Sequence, residues 1–327
     1  MNKSELNYQT VLRWTDEECR EFLEHQRWPN GAVCPKCGAN SPYAVSRKTD
    51  TKNKLQKFYK CKACRKQFTA TVGTIFEDSH IPLNKWFAAI FLMCASKKGV
   101  SAHQLHRMLG VTYKSTWFMA HRIREAMRDK NILEPFTGTV EADETYIGGR
   151  QRGHYTVRER IQDEIKMGLR KRGPHPRMSK AVVFGMIERK GKVRTIKVSE
   201  VNAKTLGPVL RNNLDLDKAR LITDGHSAYR HIKHHVRHDI IDHEKTYVAG
   251  DVHIQGIENY WSLLKRGLYG VFQHVGAGYL PQYLDEFQYR FNSRKVTDAE
   301  RFASLVGQVQ GRLDWYCQTH QPENPYA

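Results

Sequence analysis

The segment TVEADETYIGG, residues 139–149, alternates polar and apolar side chains with the period of a strand. Before it, from Leu83 onward, apolar residues recur at helical spacing. The pattern therefore changes here, just past "LEPFTG" with Pro135 and Gly138, which reads as a linker. A new domain is predicted to start near residue 137. Within the strand, Glu141 and Asp143 share one face with Thr145, while Glu144 points the other way with Ala142 and Tyr146. Asp143 and Glu144 thus do not simply chelate one ion together. Asp143 is the acid placed at a site, because "YIGG" then turns the chain and opens space beside it.

Further strands follow. "KAVVFGMIERKGKVRTIKVSEV" reads as a hairpin turning at Lys190 and Gly191, and "KARLITDGHSAY" as a short apolar strand ending in Asp224. "HDIIDHEKTYVAG" offers one more. Strands followed by an apolar strand with helices around it predict an α/β sheet of mixed direction. Asp224 stands at the carboxyl end of its strand, where Gly225 lets the chain leave sharply; ligand sites of open α/β sheets lie at such ends.

"DVHIQGIENYWSLLKRGLYG", residues 251–270, is an amphipathic helix with Ile257, Trp261, Leu264 and Leu268 toward a core. Glu258 and Lys265 are two turns apart, roughly 10 Å along the axis, too far for an i,i+4 ion pair. Glu258 is the third acid. Three carboxylates from two strands and a helix suit a pair of magnesium ions, which prefer carboxylate oxygens and leave room for water and phosphate. The reaction class this predicts is phosphodiester cleavage or transfer.

The N-terminal part carries a different chemistry. Thr15 with Glu18 is a capping-box pattern that opens a short helix. Cys34 and Cys37, then Cys61 and Cys64, form two CxxC turns that together complete a tetrahedral zinc site. Arg47, Lys48, Lys52, Lys54, Lys57, Lys60, Lys62, Arg65 and Lys66 surround it and favour DNA contact. Cys19, Cys94 and Cys317 read as ordinary cysteines. Further on, Ser101 and Gln104 begin a helix that Gly110 ends before "VTYKS" starts a second one. Two short helices around a Gly turn predict a helix-turn-helix, whose second helix offers Lys114, Ser115, Thr116, His121, Arg122 and Arg124 to the major groove.

The bulk composition agrees with a polyanionic partner. Lysine plus arginine exceeds aspartate plus glutamate by 53 to 34, a formal charge of +19, which favours phosphate binding through counterion release. Arg150 to Lys180 alone holds ten basic and three acidic residues, a basic insertion suited to a phosphate track. The histidines at 231, 234, 235, 238 and 243 read as a solvated basic segment rather than a metal site. The longest apolar run, "WFAAIFLMCA", is half of what spans a bilayer, so no membrane is expected and a cytoplasmic, nucleoid-associated protein is.

"VEADETYIGG", "LITDGHSAY" and "HIQGIENYWSLLKRGLYGVF", behind a CxxC to CxxC ribbon, resemble bacterial insertion-sequence transposases of the DDE type that carry an N-terminal zinc ribbon. The resemblance runs from about residue 15 to 305. It implies an RNase H-like catalytic domain, magnesium dependence, recognition of terminal inverted repeats, strand cleavage, and attack of the freed 3′ hydroxyl on target DNA. By the same resemblance Asp143 and Asp224 match the two aspartates, Glu258 the third acid, and Lys265 a basic residue that approaches DNA phosphate. Gln255 stands where the family often has asparagine, so Gln255 or Asn259 remains a candidate to share the role of Glu258, with His253 a neighbour to test.

The expected layout is a helix and zinc ribbon over 1–80, a helix-turn-helix over 81–136, the catalytic domain over 137–310 with the insertion at 150–180, and a tail over 311–327. A homodimer or larger assembly on double-stranded DNA is expected, since two element ends are paired. Two competing readings differ in class. One is a DNA-binding regulator without chemistry, which has no reason to keep three acids at these positions. The other is a metal-dependent nuclease that cuts without rejoining.

Overall fold

The computed structural model describes residues 6–48, 55–129, 134–148, 180–229, 231–241 and 250–311. The described residues fall into two compact units. One draws on Met1–Asn131, Gly270–Phe272 and Gln282–Pro322, the other on Ile132–Tyr269 and Gln273–Pro281. The basic insertion (Lys180 apart), Cys317, His243 and the tail beyond Gly311 lie outside the described residues.

The first unit begins with α1 (Tyr8–Arg13) and α2 (Asp16–Arg27). The predicted box closes α2: Thr15 accepts from the Glu18 N–H and Glu18 accepts from the Thr15 N–H. A small antiparallel sheet follows, β1 (Pro42–Lys48), β2 (Leu55–Cys61) and β3 (Gln67–Phe68). It is fastened to α2 by Tyr59 donating to Glu24 at 2.9 Å and Arg27 donating to the Ala70 carbonyl at 2.6 Å.

Three helices come next: α3 (Leu83–Ala95), α4 (Ala102–Leu109) and α5 (Tyr113–Met127). α3 is apolar around most of its circumference and is buried accordingly. Gly110 adopts the left-handed conformation (φ 59°) that ends α4, and Thr112 caps α5 by accepting from the Ser115 N–H.

In the second unit β4 (Thr139–Ile147) is central, with β5 (Ala181–Glu188), β6 (Val193–Val198), β7 (Arg220–Asp224) and β8 (Arg237–Ile241) arranged in the order β6-β5-β4-β7-β8. β4 pairs antiparallel with β5 and β5 with β6, whereas β7 runs parallel to both β4 and β8. The mixed α/β sheet and the hairpin at Lys190–Gly191 match the sequence expectation; Lys190 takes a left-handed φ of 61° there. α6 (Ala203–Asn213) covers one face, where Leu206, Val209 and Leu210 pack with Val140, Ala142, Phe184 and Met186. α7 (Gln255–Gly270) lies on the other face, with Trp261 and Ile257 against Gly185.

Three expectations need correction. "LEPFTG" is no mere linker: Phe136 is buried, lies 4.5 Å beneath the Arg194 guanidinium, and exchanges backbone hydrogen bonds with Asn213 and Asp215. The ribbon (1–80) and the helix pair of 81–136 fall in one compact unit as far as Asn131, while 132–136 belong to the other. Nor do all residues of 137–310 belong together. After α8 (Leu280–Asn292), α9 (Asp298–Gly307) joins the first unit, where Phe302 packs against Phe22, Phe87 and Phe91 and the Ile75 N–H donates to the Val309 carbonyl. The apolar surface of α3 is large enough to need this extra cover.

Candidate active site

The paired register of β4 against β7 ends with Glu141 opposite Ile222. Asp143 and Asp224 each lie two residues further along these adjacent strands, near enough for the Asp224 charge to act on the Asp143 carboxyl. On the other side of β4, Asp143 pairs with Gly185 of β5. That glycine has no side chain to fill the space above it, and Trp261 of α7 occupies it: a Cβ at Gly185 would lie 2.4 Å from Trp261 Cη2. From there the indole Nε1–H donates to Asp143 Oδ2 at 3.0 Å. A glycine inside an apolar strand is the sequence sign of such a close approach.

Burial pushes the Asp143 carboxyl up to about 7, with the neighbouring charges of Glu144 and Asp224 acting in the same direction and the indole hydrogen bond opposing them. Asp224 is partly exposed at the end of β7, and its Oδ1 accepts from the His226 N–H at 3.1 Å, which turns the chain through Gly225. Glu144 points to the opposite face, as its alternation predicts, and accepts from the hydroxyl of buried Tyr229. Burial raises the Glu144 carboxyl despite that hydrogen bond.

Glu258 is exposed in the first turn of α7, and so are Gln255 and Asn259. Asp143, Asp224 and Glu258 do not close to within 4.8 Å of one another, a spacing that only the cysteine cluster reaches among the described residues. The pair of aspartates fits a hard divalent cation by its chemistry, because oxygen donors crowded at a buried carboxyl lose their mutual repulsion when a cation joins them. Lys265 is half-buried further along α7.

An acid that sequence reasoning passed over holds this helix. Glu141 is buried at 1% exposure; its Oε2 accepts from the backbone N–H of Gly256 at 2.6 Å and of Ile257 at 3.1 Å. Its Oε1 accepts from Arg189 Nε at 2.9 Å, and Arg189 also donates to the His253 carbonyl at 3.0 Å. Gly256 at the helix start was the available sign: a Cβ there would lie 2.7 Å from Glu141 Oε2.

In the first unit the four predicted cysteines converge, with Cys34 and Cys64 sulfurs 3.7 Å apart and Cys37 and Cys61 sulfurs 3.6 Å apart. A tetrahedron with zinc–sulfur bonds of about 2.3 Å requires edges of about 3.8 Å, so the cluster fits zinc. Each CxxC turn ends in a left-handed residue, Gly38 (φ 74°) and Arg65 (φ 56°), which lets backbone N–H and C=O groups close the turn.

The DNA-contact expectation fails for two of its residues. Arg122 is buried and donates to the Glu77 carbonyl at 2.8 Å, stacked between Trp86 and Phe118. Arg124 is buried at 2% exposure in an ion pair with Glu286 at 2.6 Å. Their guanidinium groups are spent inside the fold. His121 and Thr116 are buried as well, whereas Lys114 is exposed at the start of α5. Among the described residues no helix is long and apolar enough to cross a membrane.

Comparison with known proteins bears on the family. Residues 135–292 match the ISXO2-like transposase domain and residues 14–67 the transposase zinc-ribbon domain. The chain is 28% identical over 281 residues, 84% of its length and 90% of the relative's, to an uncharacterized protein in transposable element ISH50 of Halobacterium salinarum. It is 30% identical over 125 residues, 38% of its length and 98% of the relative's, to an uncharacterized transposase-like protein of Haemophilus influenzae. With a transposase zinc-ribbon domain ahead of an ISXO2-like domain, the chain belongs to the ISXO2-like transposases.

Proposed function

We propose that the protein is an active DNA transposase that binds the terminal inverted repeats of an insertion sequence and catalyses metal-dependent strand cleavage and strand transfer. Asp143, Asp224 and Glu258 are its acids. The observation that carries this reading is the position of Asp143 and Asp224 on adjacent parallel strands, where the Asp224 charge acts on a buried Asp143 carboxyl.

Trp261 and the backbone N–H of Glu144 orient the Asp143 carboxylate, and the His226 N–H orients that of Asp224. Magnesium, when bound there, lowers the pKa of an attacking water or 3′ hydroxyl and neutralises the leaving oxygen. Glu258, or Gln255 or Asn259 with it, completes the set from the first turn of α7.

The sheet order β6-β5-β4-β7-β8 supports the RNase H-like reading. The α4–Gly110–α5 pair supports the helix-turn-helix reading, with Lys114 exposed on its second helix. The formal charge of +19 supports DNA as the partner. Structural zinc at Cys34, Cys37, Cys61 and Cys64 stabilises the ribbon, whose core is too small to fold alone. Pairing of two ends calls for a homodimer or larger assembly on DNA.

The test incubates protein, magnesium and a labelled element end with a target plasmid. Cleaved ends joined to the plasmid are expected, whereas a nuclease yields cut ends alone. Asp143→Asn and Asp224→Asn are expected to abolish cleavage and leave binding of the end intact; full activity in either variant removes the active-site assignment.

A further inference from the structure

The geometry points to Glu141 as a positioning residue that sets where the first turn of α7, and with it Glu258, stands relative to Asp143. This rests on the reading of Asp143 and Glu258 as partners at one metal site.

Glu141 and Asp143 lie two residues apart on the same face of β4, roughly 6.6 Å along the strand. Each of them grips α7. Glu141 takes the N–H groups of Gly256 and Ile257, and Asp143 takes the indole of Trp261. Gly256 and Trp261 are five residues apart, roughly 7.5 Å along the helix. The two spacings nearly match, so strand and helix run alongside each other between two fasteners, and Glu258 is carried between them.

The charge at the first fastener is placed for this work. A carboxylate at the start of a helix meets its free N–H groups and the positive end of its dipole. Arg189 of the β5–β6 hairpin braces the same carboxylate, and His253 Nδ1, in the segment entering α7, lies 3.5 Å from Glu141 Oε1. This carboxylate joins the strand, the hairpin and the helix that carry or flank the proposed site.

Two variants approach the contact from opposite sides. Glu141→Gln keeps the shape but loses the charge, and its amide cannot accept from both the helix N–H groups and Arg189. Gly256→Ala leaves Glu141 untouched and favours helix formation by itself, but its Cβ meets Glu141 Oε2 at 2.7 Å. End cleavage is measured against magnesium concentration, manganese binding to the free protein is followed by electron paramagnetic resonance, and circular dichroism at the assay temperature reports the folded fraction.

The expectation for both variants is a rise of about 10–100-fold in the magnesium needed for half-maximal cleavage, as for other groups that orient metal ligands. A weaker manganese site, unchanged end-DNA affinity and an unchanged folded fraction accompany it. Glu141→Asp, which restores the charge, recovers part of the loss. Wild-type metal dependence in both folded variants overturns the inference, and so does a loss that only tracks the folded fraction. If Glu141→Gln does not fold, Gly256→Ala decides. Failure of the underlying reading looks different: Asp143→Asn or Glu258→Gln then retains cleavage.

Discussion

Trp261 donates its indole N–H to Asp143 across 3.0 Å while resting on Gly185, the residue paired with Asp143 in the neighbouring strand. The missing side chain of one residue thus makes room for the group that orients another. Gly185→Ala puts a methyl 2.4 Å from the indole and is expected to cost about 1–3 kcal/mol of stability, read from denaturant unfolding, together with a loss of end cleavage. Trp261→Phe keeps most of the packing and removes the hydrogen bond that favours the charged carboxylate. The acidic limb of the cleavage pH profile then moves to higher pH; an unmoved limb counts against the orienting role.

Burial of Asp143 costs the fold stability at neutral pH. Its carboxyl is pushed from 3.8 in the unfolded chain to about 7 in the fold. Between those values the folded state holds a proton that the unfolded chain has lost, so its contribution to stability falls as pH rises. Asp143→Asn removes this penalty. In zinc-loaded protein without magnesium, the variant is expected to melt higher than wild type at pH 8, with the gap closing as pH is lowered toward 5. Equal melting temperatures at pH 8 contradict the assigned burial cost.

The six described cysteines should separate by reactivity. Burial pushes the Cys19 and Cys94 thiols up to about 12, so alkylation mapped by mass spectrometry should leave both unmodified in native protein. A strong zinc chelator should expose Cys34, Cys37, Cys61 and Cys64 together, with one zinc released per chain. Stepwise appearance of the four thiols argues against a single shared ion.

Basic residues on α5 should split in the same way. Glu286 sits between Arg124 and Arg290, and all three are buried. Glu286→Gln strands two cations and is expected to cost about 3–5 kcal/mol in an unfolding titration. Lys114→Ala should change stability by less than about 0.5 kcal/mol. It should also lower the salt dependence of end-DNA binding by about one counterion; an unchanged salt slope removes Lys114 from the contact surface.

How legible the molecule was depended on how far apart the cooperating residues lie in the chain. The CxxC turns, the Thr15–Glu18 box and the hairpin at Lys190 are written within a few residues, and each stands where the pattern predicts. Faces of β4 follow from alternation alone, which is why Asp143 and Glu144 are correctly separated. Arg122 and Arg124 were misread because a charged side chain on a helix counts as exposed unless its partner is known. The partner of Arg124 lies 162 positions away. The role of Glu141 was hidden for a similar reason: its donors are backbone N–H groups of Gly256 and Ile257, and no side-chain pattern announces them.

The packing of α9 against α2 and α3 has a consequence for synthesis. The sheet-bearing unit is spelled out between the two portions of the helical one, so its strands and α7 leave the ribosome while Phe22 and Phe87 still await Phe302. Domains form in the order in which their residues become available. All described residues of the unit with the aspartates are thus available before those that complete the unit with the cysteines. A chain halted before α9 is expected to leave the aromatic surface of Phe22 and Phe87 open to chaperones and proteases.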